Sequence, residues 1–295
     1  MGHYILRSYR TDRSLQQIRY ELGVLKSLQE RSLPFQVPVP IPTVSGELFA
    51  VLSGTVVSLS PRLSGSMPHN DDLEQTYAAG GALAQLVMLL QDVHVEVTAE
   101  VAPFPTSGDF EARSGSPIDP AILLQKLPLA KEAQEQILAR LEETQASAPF
   151  LYQTLPQQII HRDYDQSNIL MEGNLVTGVL DFEFCGPDLR ILDLAYALSQ
   201  WPSGLWNTGR EWVVIDAFAQ GYIHQHTLTL AELEALPLIF HLRAMGSLLF
   251  HLGGFAQGVE TPAEILERVQ ETLTTESWLQ IHAEELVRHA RRWLY

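Results

Sequence analysis

A polar stretch near the middle of the chain carries residue types suited to metal-dependent chemistry. His161, Asp163 and Asn168 follow an apolar run, and Asp181 ends a second β-rich run beyond a turn at residues 172–174. A hairpin between the runs would bring Asp163, Asn168 and Asp181 within reach of one point. Phosphoryl transfer requires an aligned hydroxyl, an acceptor for its proton and a cation that neutralises the phosphate oxygens.

Each of these three side chains suits one of those tasks. The Asp163 carboxylate can accept the hydroxyl proton, and the oxygens of Asn168 and Asp181 are hard ligands of the kind that Mg²⁺ prefers. The spacing His-x-Asp-x4-Asn alone arises by chance at about one in 10⁴ positions. The β-rich entry, the hairpin, a second Asp-Phe at its end and the helix that begins near Asp193 give the pattern its weight.

Two kinds of local pattern surround this stretch. Residues 4–9 form a β-like run, residues 14–29 carry a helical apolar stripe, and residues 47–52 and 55–59 predict a hairpin around Ser53-Gly54. Residues 1–60 are therefore expected to form a small α+β unit. The turn-rich segment 61–68 marks the predicted boundary with a second unit that spans residues 61–295.

That second unit is predicted to be mainly helical outside the central stretch. A long helix is expected after a cap at Asn70 or Asp71, and a loop is expected over residues 102–120. Further apolar stripes predict helices over about residues 129–145, 189–201, 211–226, 230–255, 262–273 and 278–294. The fold class is α+β.

Composition restricts the partners. The 35 acidic residues exceed the 19 Lys and Arg residues, for a formal net charge of -16, which disfavours nucleic acid and anionic membranes. An anionic substrate such as ATP would need local cations. The single cysteine, Cys185, fits a reducing compartment. No uninterrupted apolar run reaches the about 18 residues that a membrane span needs, so we expect a soluble cytoplasmic protein.

Residues 161–195 resemble the signature block of the aminoglycoside phosphotransferase superfamily. That superfamily also contains choline, homoserine and methylthioribose kinases and is related to the protein kinases. Residues 4–28 resemble its third strand and following helix, and Gly65 resembles the glycine after its hinge. The resemblance implies a protein-kinase-like two-lobed fold, with a small, N-terminally truncated α/β N-lobe over residues 1–60 and a mainly helical C-lobe over residues 61–295.

The resemblance also implies a role for each matched residue of the block. Asp163 would be the catalytic base, and Asn168 and Asp181 would be metal ligands. His161 would organise the loop, and Asp193 would anchor it from behind through backbone amides. The implied cofactors are ATP and Mg²⁺.

At the N-terminal end, Arg7 falls where the family has its phosphate-contacting Lys or Arg, with Glu21 as its ion-pair partner. A solvent-facing strand residue is the alternative for Arg7. The chain departs from the family pattern at Arg162, where the family usually has Gly, and at Glu183, which could be an additional metal ligand. It also begins where the third strand should begin, which indicates either a start assigned too far downstream or a truncated lobe.

Candidates for contacts with the acceptor lie further along the chain. Arg243 and His241 occupy a strongly apolar helix, where a charge needs a partner or a cleft, and Trp201 could line a pocket or pack in the core. His224 and His226 could bind a metal, but solvated or core positions are favoured for them.

The reaction expected from the resemblance is phosphorylation of a hydroxyl on a small metabolite. Homoserine is the leading acceptor, and choline-like alcohols, amino sugars and aminoglycosides remain open. One alternative is a non-catalytic pseudokinase or nucleotide-binding module. A second alternative is a metal-dependent hydrolase that uses His161, Asp163 and Asp181.

Overall fold

The chain folds into two compact units, each assembled from separate segments. The computed structural model describes residues 2–10, 13–69, 72–95 and 106–294. The first unit comprises the described residues of segments 1–104, 158–187 and 213–226, and the second comprises those of segments 105–157, 188–212 and 227–295. The predicted boundary at residues 60 and 61 stays a prediction.

The first unit opens with a three-stranded antiparallel sheet and one helix. Its sheet has the order β1 (Tyr4–Ser8), β3 (Thr55–Pro61), β2 (Ala50–Leu52), and α1 (Leu15–Gln29) follows the first strand. Ser14 caps α1 in a capping box with Gln17, which satisfies two amide donors at the helix start. The hairpin around Ser53-Gly54 is confirmed, since both residues have positive φ (49° and 84°).

A second hairpin carries the central polar stretch. Strands β5 (Ile169–Glu172) and β6 (Leu175–Val179) pair antiparallel, with Gly173 at φ 59° in the turn, as the sequence predicts. Gly65 at φ 115° runs beside this hairpin. A Cβ on Gly65 would lie 2.9 Å from the Met171 amide nitrogen, so only glycine allows this close approach.

The remaining elements of the first unit include α2 (Leu73–Gln91) and most of α7 (Glu211–Gln225). Asp72 caps α2 by accepting from the amides of residues 74 and 75. The sequence had placed this cap at Asn70 or Asp71, which lie outside the described residues. Tyr164 from the polar stretch is fully buried, and its hydroxyl donates to the Ala79 carbonyl at 2.9 Å, so α2 helps to hold the polar stretch in place.

The second unit is helical and is organised around α9 (Leu236–Ala256). Leu248 and Leu252 of this helix join a buried cluster with residues of its neighbours, among them Leu124, Ile137 and Ile265. The other described elements of the chain are β4 (Gln157–Ile160), β7 (Gly186–Leu189), α3 (Phe110–Arg113), α4 (Pro120–Gln125), α5 (Lys131–Thr154), α6 (Ile191–Gln200), α8 (Leu230–Glu234) and α10 (Pro262–Arg292).

Helix α9 is also long and apolar enough to cross a membrane by length and composition, although 61% of its most apolar window is buried within the protein. The sequence did not show this because charged and polar residues interrupt the apolar run. Buried helices at the centre of a helical unit have the same composition.

Candidate active site

The loop after β4 is organised by His161. This ring is fully buried, its Nε2 lies 2.9 Å from the Leu180 carbonyl, and the backbone amide of Asp163 donates to its Nδ1 at 3.2 Å. The pair of bonds assigns the neutral tautomer with the proton on Nε2. Because both ring nitrogens contact the backbone, neither points to a zinc ion, which disfavours the hydrolase alternative.

Asp163 and Asn168 face each other across this loop. The Asn168 amide nitrogen donates to the backbone carbonyl of Asp163 and to its carboxylate Oδ2, both at 2.9 Å. This pairing uses the nitrogen of the amide and leaves its oxygen as the group suited to a cation. The amide of Leu180 donates to the Asn168 carbonyl at 2.8 Å, so the residue before Asp181 is attached directly to the loop.

Asp181 and Glu183 lie together, with the side chain of Arg7 between them. Arg7 Nη2 lies 3.2 Å from Asp181 Oδ1 and 2.9 Å from Glu183 Oε2. Asp181 has φ 57°, an uncommon left-handed conformation that Asp tolerates better than most residues. A guanidinium therefore neutralises the two carboxylates that the sequence assigned to a metal.

Glu21 connects Arg7 with a second arginine, Arg13, that the sequence pattern does not indicate. Arg7 Nη1 lies 2.8 Å from Glu21 Oε1, as predicted, and Arg13 Nη1 lies 2.6 Å from Glu21 Oε2. The side chain of Glu21 is only 2% exposed. Arg13 Nη2 also donates to the Glu183 carbonyl at 3.1 Å. The only available signal for Arg13 was a basic residue just before a helix cap, which is common in solvent-exposed loops.

The charges in this cluster depend on one another. Burial and the neighbouring Asp181 raise the pKa of Glu183, although Arg7 and Arg13 oppose the shift. Burial disfavours the charged form of Arg7, but Glu21 and Asp181 outweigh that effect and raise the pKa of Arg7. Two neighbouring carboxylates that repel each other form a place where a cation is stabilised.

These residues could hold a metal only together with other ligands. Within the described ranges, no three His, Cys, Asp or Glu residues converge as a metal cluster. The predicted ligands are one amide, Asn168, and two carboxylates, Asp181 and Glu183. Such a set fits Mg²⁺, which usually keeps several waters and binds substrate phosphates, better than it fits zinc, which prefers His and Cys ligands.

The other predicted site residues belong to the second unit. Asp193 is fully buried in the first turn of α6, and its anchoring role stays a prediction. Trp201 is fully buried, which favours the core-packing alternative. His241 binds Glu276 through Nδ1 at 2.7 Å. Arg243 lines a cavity of about 500 Å³.

The chain belongs to the phosphotransferase enzyme family, whose model matches residues 2–236. It is a small-molecule kinase of that family with a protein-kinase-like fold, which combines a small N-terminal sheet and helix with a mostly helical C-terminal part. A homoserine kinase of Rhodopseudomonas palustris (strain BisB18) is 26% identical over 284 residues, covering 95% of this chain and 81% of the relative.

Two solved structures show the same fold. An aminoglycoside phosphotransferase from Alicyclobacillus acidocaldarius superposes with a TM-score of 0.66 at 16% identity, covering 99% of this chain and 88% of the other. The amicoumacin kinase hAmiN in complex with AMP-PNP, Ca²⁺ and Ami gives a TM-score of 0.66 at 16% identity, covering 94% of this chain and 82% of the other.

Proposed function

We propose that the protein transfers the γ-phosphoryl group of ATP to a hydroxyl of a small metabolite with the help of Mg²⁺. The observation that carries this proposal is the arrangement in the first unit, where Asn168 orients the Asp163 carboxylate and two further carboxylates surround a cation. A base and a cation site on adjoining backbone are what phosphoryl transfer requires of a protein.

In this proposal Asp163 accepts the proton of the acceptor hydroxyl as its oxygen forms a bond to the γ-phosphorus. The bond between that phosphorus and the bridging oxygen of ATP breaks, and ADP leaves. The hydrogen bond from Asn168 Nδ2 to Asp163 Oδ2, 2.9 Å long, fixes the orientation of that carboxylate. Asn168, Asp181 and Glu183 would hold Mg²⁺, which supplies neutralisation of the phosphate oxygens. Arg7 would stay paired with Glu21. It would leave Asp181 and Glu183 and bind a phosphate oxygen instead.

We propose homoserine as the leading acceptor. The homoserine kinase relatives support it, at 26% identity over nearly the full length of this chain. The formal net charge of -16 favours acceptors that carry an amine. Amino sugars and aminoglycosides also carry amines, and choline-like alcohols carry a quaternary ammonium group. All three belong in the same test, because a fold alone does not select an acceptor.

One contact favours a second candidate, a nucleotide-binding module without catalysis. The Arg7 guanidinium lies on both Asp181 and Glu183, where the kinase proposal places the metal. If Arg7 stayed paired with Asp181 and Glu183 when nucleotide binds, these two carboxylates could not hold Mg²⁺. The chain would then not catalyse phosphoryl transfer, and Asp163 would have no role as a base.

Turnover with pooled acceptors separates these candidates. The full chain would be incubated with ATP, Mg²⁺ and pools of homoserine, amino alcohols and amino sugars, and products would be detected by mass spectrometry. We expect a phosphorylated product in one pool, and none after chelation with EDTA or with Asp163→Asn. Binding of AMP-PNP without product from any pool would favour the second candidate. Product formation by Asp163→Asn at the wild-type rate would contradict the assigned base.

We also propose a cytoplasmic location. A kinase of this kind consumes ATP, and the single cysteine of the chain, Cys185, is buried and has no second cysteine for an internal disulfide, as is usual in a reducing compartment. Fractionation of the native host with an antibody against the full chain tests this location, and recovery in the membrane fraction would contradict it.

A further inference from the structure

Arg13 is a buried arginine beside the candidate active site of the first unit. It immediately precedes the Ser14 cap of α1, and its side chain is 7% exposed, whereas that of Arg7 is 31% exposed. Both arginines pair with Glu21, whose side chain is 2% exposed. One carboxylate inside the protein therefore binds two cations that differ in their access to solvent.

Arg13 connects Glu21 with the turn that carries the predicted metal ligands. Its Nη1 lies 2.6 Å from Glu21 Oε2, and its Nη2 donates to the backbone carbonyl of Glu183 at 3.1 Å. Arg7 makes a parallel connection to side chains, since its Nη1 contacts Glu21 and its Nη2 contacts the carboxylates of Asp181 and Glu183. The backbone carbonyl remains an acceptor for Arg13 when those carboxylates turn toward a metal ion.

Tyr9 restricts how the two guanidinium groups can move. Its ring is buried, and its hydroxyl lies 3.3 Å from Ser58 Oγ. The Cζ atoms of Arg7 and Arg13 lie 5.1 Å and 5.8 Å from the ring centroid, within the range of cation–π attraction. A planar group that contacts a ring, a carboxylate and a backbone carbonyl has few alternative orientations, so Arg13 is held in one position.

Nucleotide binding affects the two connections differently. In the proposed reaction Arg7 turns from Asp181 and Glu183 to a phosphate oxygen, which breaks its connection with that turn. The connection through Arg13 uses the backbone carbonyl of Glu183, which is separate from the carboxylates proposed to hold Mg²⁺. Residues that orient metal ligands without touching the metal matter for binding, and their loss usually weakens metal affinity by about tenfold to a hundredfold.

We infer that Arg13 is a positioning residue, which keeps Asp181 and Glu183 placed for Mg²⁺ when the nucleotide binds. It acts through the backbone at residue 183, which it holds against α1 after Arg7 has turned to the phosphate. The inference rests on the proposed function, because it concerns the same site, and it gives Arg13 no direct contact with ATP or the acceptor.

Calorimetric titration of the full chain with Mg²⁺ and AMP-PNP tests the inference. Arg13→Gln should bind Mg²⁺ and AMP-PNP about tenfold to a hundredfold more weakly than wild type, because the metal ligands are less well placed. Arg19→Gln is the matched control, since Arg19 is an exposed residue of the same helix and lies over the Phe49 ring. Its affinity should stay within about threefold of wild type. Equal affinity of Arg13→Gln and wild type would overturn the inference.

Two further measurements separate positioning from a loss of stability. In turnover assays with Arg13→Gln, the KM for ATP should rise by about tenfold or more, while the KM for the acceptor stays within about threefold of wild type. A purely structural role would lower the melting temperature without this difference between the two KM values, and that result would also overturn the inference.

Arg13→Lys provides a second variant in case Arg13→Gln does not fold. Lysine keeps the positive charge, but one ammonium group replaces the planar fork that binds Glu21 and the Glu183 carbonyl together. The Lys variant should therefore still bind Mg²⁺ and AMP-PNP about fivefold or more weakly than wild type. Wild-type affinity in the Lys variant would show that charge alone suffices and would overturn the positioning role.

The wild-type chain distinguishes failure of this inference from failure of the proposed function. If wild type bound no AMP-PNP in the presence of Mg²⁺, both would be wrong. If wild type bound it and Arg13→Gln bound it equally well, only the role of Arg13 would be wrong. If wild type bound it without turnover, the proposed reaction would fail, and the affinity of Arg13→Gln would still decide the role of Arg13.

Discussion

Two non-glycine residues of the active-site stretch have a left-handed backbone. Arg162 has φ 70° and Asp181 has φ 57°, conformations that cost a residue with a Cβ about 1–2 kcal/mol. The Arg162 side chain is buried and its Nη2 donates to the Pro187 carbonyl at 2.6 Å. A positive φ favours glycine, which fits the expectation from the family resemblance that glycine occupies this position.

Two separate substitutions of Arg162, by alanine and by glycine, distinguish backbone strain from the loss of side-chain contacts. Arg162→Ala and Arg162→Gly both lose the bond to Pro187, but only glycine is relaxed at φ 70°. We therefore expect the Gly variant to be more stable than the Ala variant by about 1 kcal/mol. Urea denaturation measures the difference, and an Ala variant as stable as the Gly variant would contradict a strained Arg162.

The spacing of Asp163, Asn168 and Asp181 predicts their roles, and those roles stay predictions. The Asn168 side chain does contact Asp163, the Leu180 amide does attach the residue before Asp181 to Asn168, and Arg7 does pair with Glu21. Arg13 was missed because its pairing with Glu21 depends on how α1 packs, and no spacing rule encodes that. The contact of Arg7 with Asp181 joins residues 174 positions apart, which a local pattern cannot show.

At the scale of elements, α2 and α7 approach each other through paired glycines. A Cβ on Gly80 would lie 2.0 Å from the Phe218 carbonyl oxygen, and a Cβ on Gly221 would lie 1.9 Å from the Tyr77 carbonyl oxygen. Backbone atoms cannot move aside as a flexible side chain can, so any side chain at these positions forces the helices apart. Because Tyr164 donates to the Ala79 carbonyl of α2, this contact also supports the active-site loop.

Adjacent glycines of α2 provide a matched test. Gly80→Ala should destabilise the protein by about 2–4 kcal/mol through the clash with Phe218. At Gly81 a Cβ would meet nothing closer than 3.5 Å, so Gly81→Ala should be stabilising by about 0.5–1 kcal/mol through helix propensity. Thermal unfolding of both variants checks the pair, and equal effects of the two substitutions would contradict this close packing.

Glu211 connects the start of α7 to α10. Its Oε1 accepts from the Asn207 amide at 3.2 Å and from Trp278 Nε1 at 3.1 Å, and Trp278 is fully buried. Burial would raise the pKa of Glu211, but the hydrogen bonds from backbone amides and Trp278 outweigh it and lower that pKa. A lowered pKa means that the unfolded chain binds more protons, so this stabilisation is present above the ordinary Glu pKa and is lost as the pH falls through the folded value.

Glu211→Gln should therefore be destabilising by about 1 kcal/mol near pH 7, with a difference from wild type that shrinks as the pH falls below about 4.5. Denaturation at a series of pH values measures this. Glu142→Gln, at an exposed position of α5, controls for the removal of one negative charge. If the difference in unfolding free energy between wild type and Glu211→Gln stayed constant with pH, the ionised form of Glu211 would not be its cause.

The sequence predicted the ends of helices well where a local cap marks them. It predicted them poorly where contacts with residues distant in sequence decide how far a helix continues. Helix α10 runs unbroken from Pro262 to Arg292, although the sequence predicted two helices, because residues 274–277 interrupt the apolar stripe without any helix-breaking residue. Helix α5 continues to Thr154 through Pro149, well beyond the predicted end at residue 145. The short helix α4 was missed, since one and a half turns give too little periodicity.

At the scale of the whole molecule, the net charge is a property that follows directly from the sequence and affects the stability of the fold. The formal net charge is -16, and like charges repel more in the folded chain than in the expanded unfolded chain. Salt screens such repulsion over about 10 Å at 0.1 M. The assembly of each unit from three separate segments, by contrast, has no counterpart in composition or local pattern.

Raising NaCl from about 0.02 to 0.2 M should therefore raise the melting temperature at pH 7.5 by a few degrees. Near the sequence pI of about 5.0 the net charge vanishes, and salt should then have no stabilising effect. Calorimetric scans at the two pH values check this. A fall in melting temperature with salt at pH 7.5 would show that attractive ion pairs outweigh the net repulsion.

The central claim is that Asp163 acts in phosphoryl transfer while Asp181 holds the metal and nucleotide. Two variants measured side by side, by titration with Mg²⁺ and AMP-PNP and by turnover with the identified acceptor, test it most directly. Asp163→Asn should bind the nucleotide like wild type while turnover falls by about 10²-fold or more, and Asp181→Asn should bind it much more weakly. Full activity of Asp163→Asn, or wild-type nucleotide binding by Asp181→Asn, would contradict this division of roles.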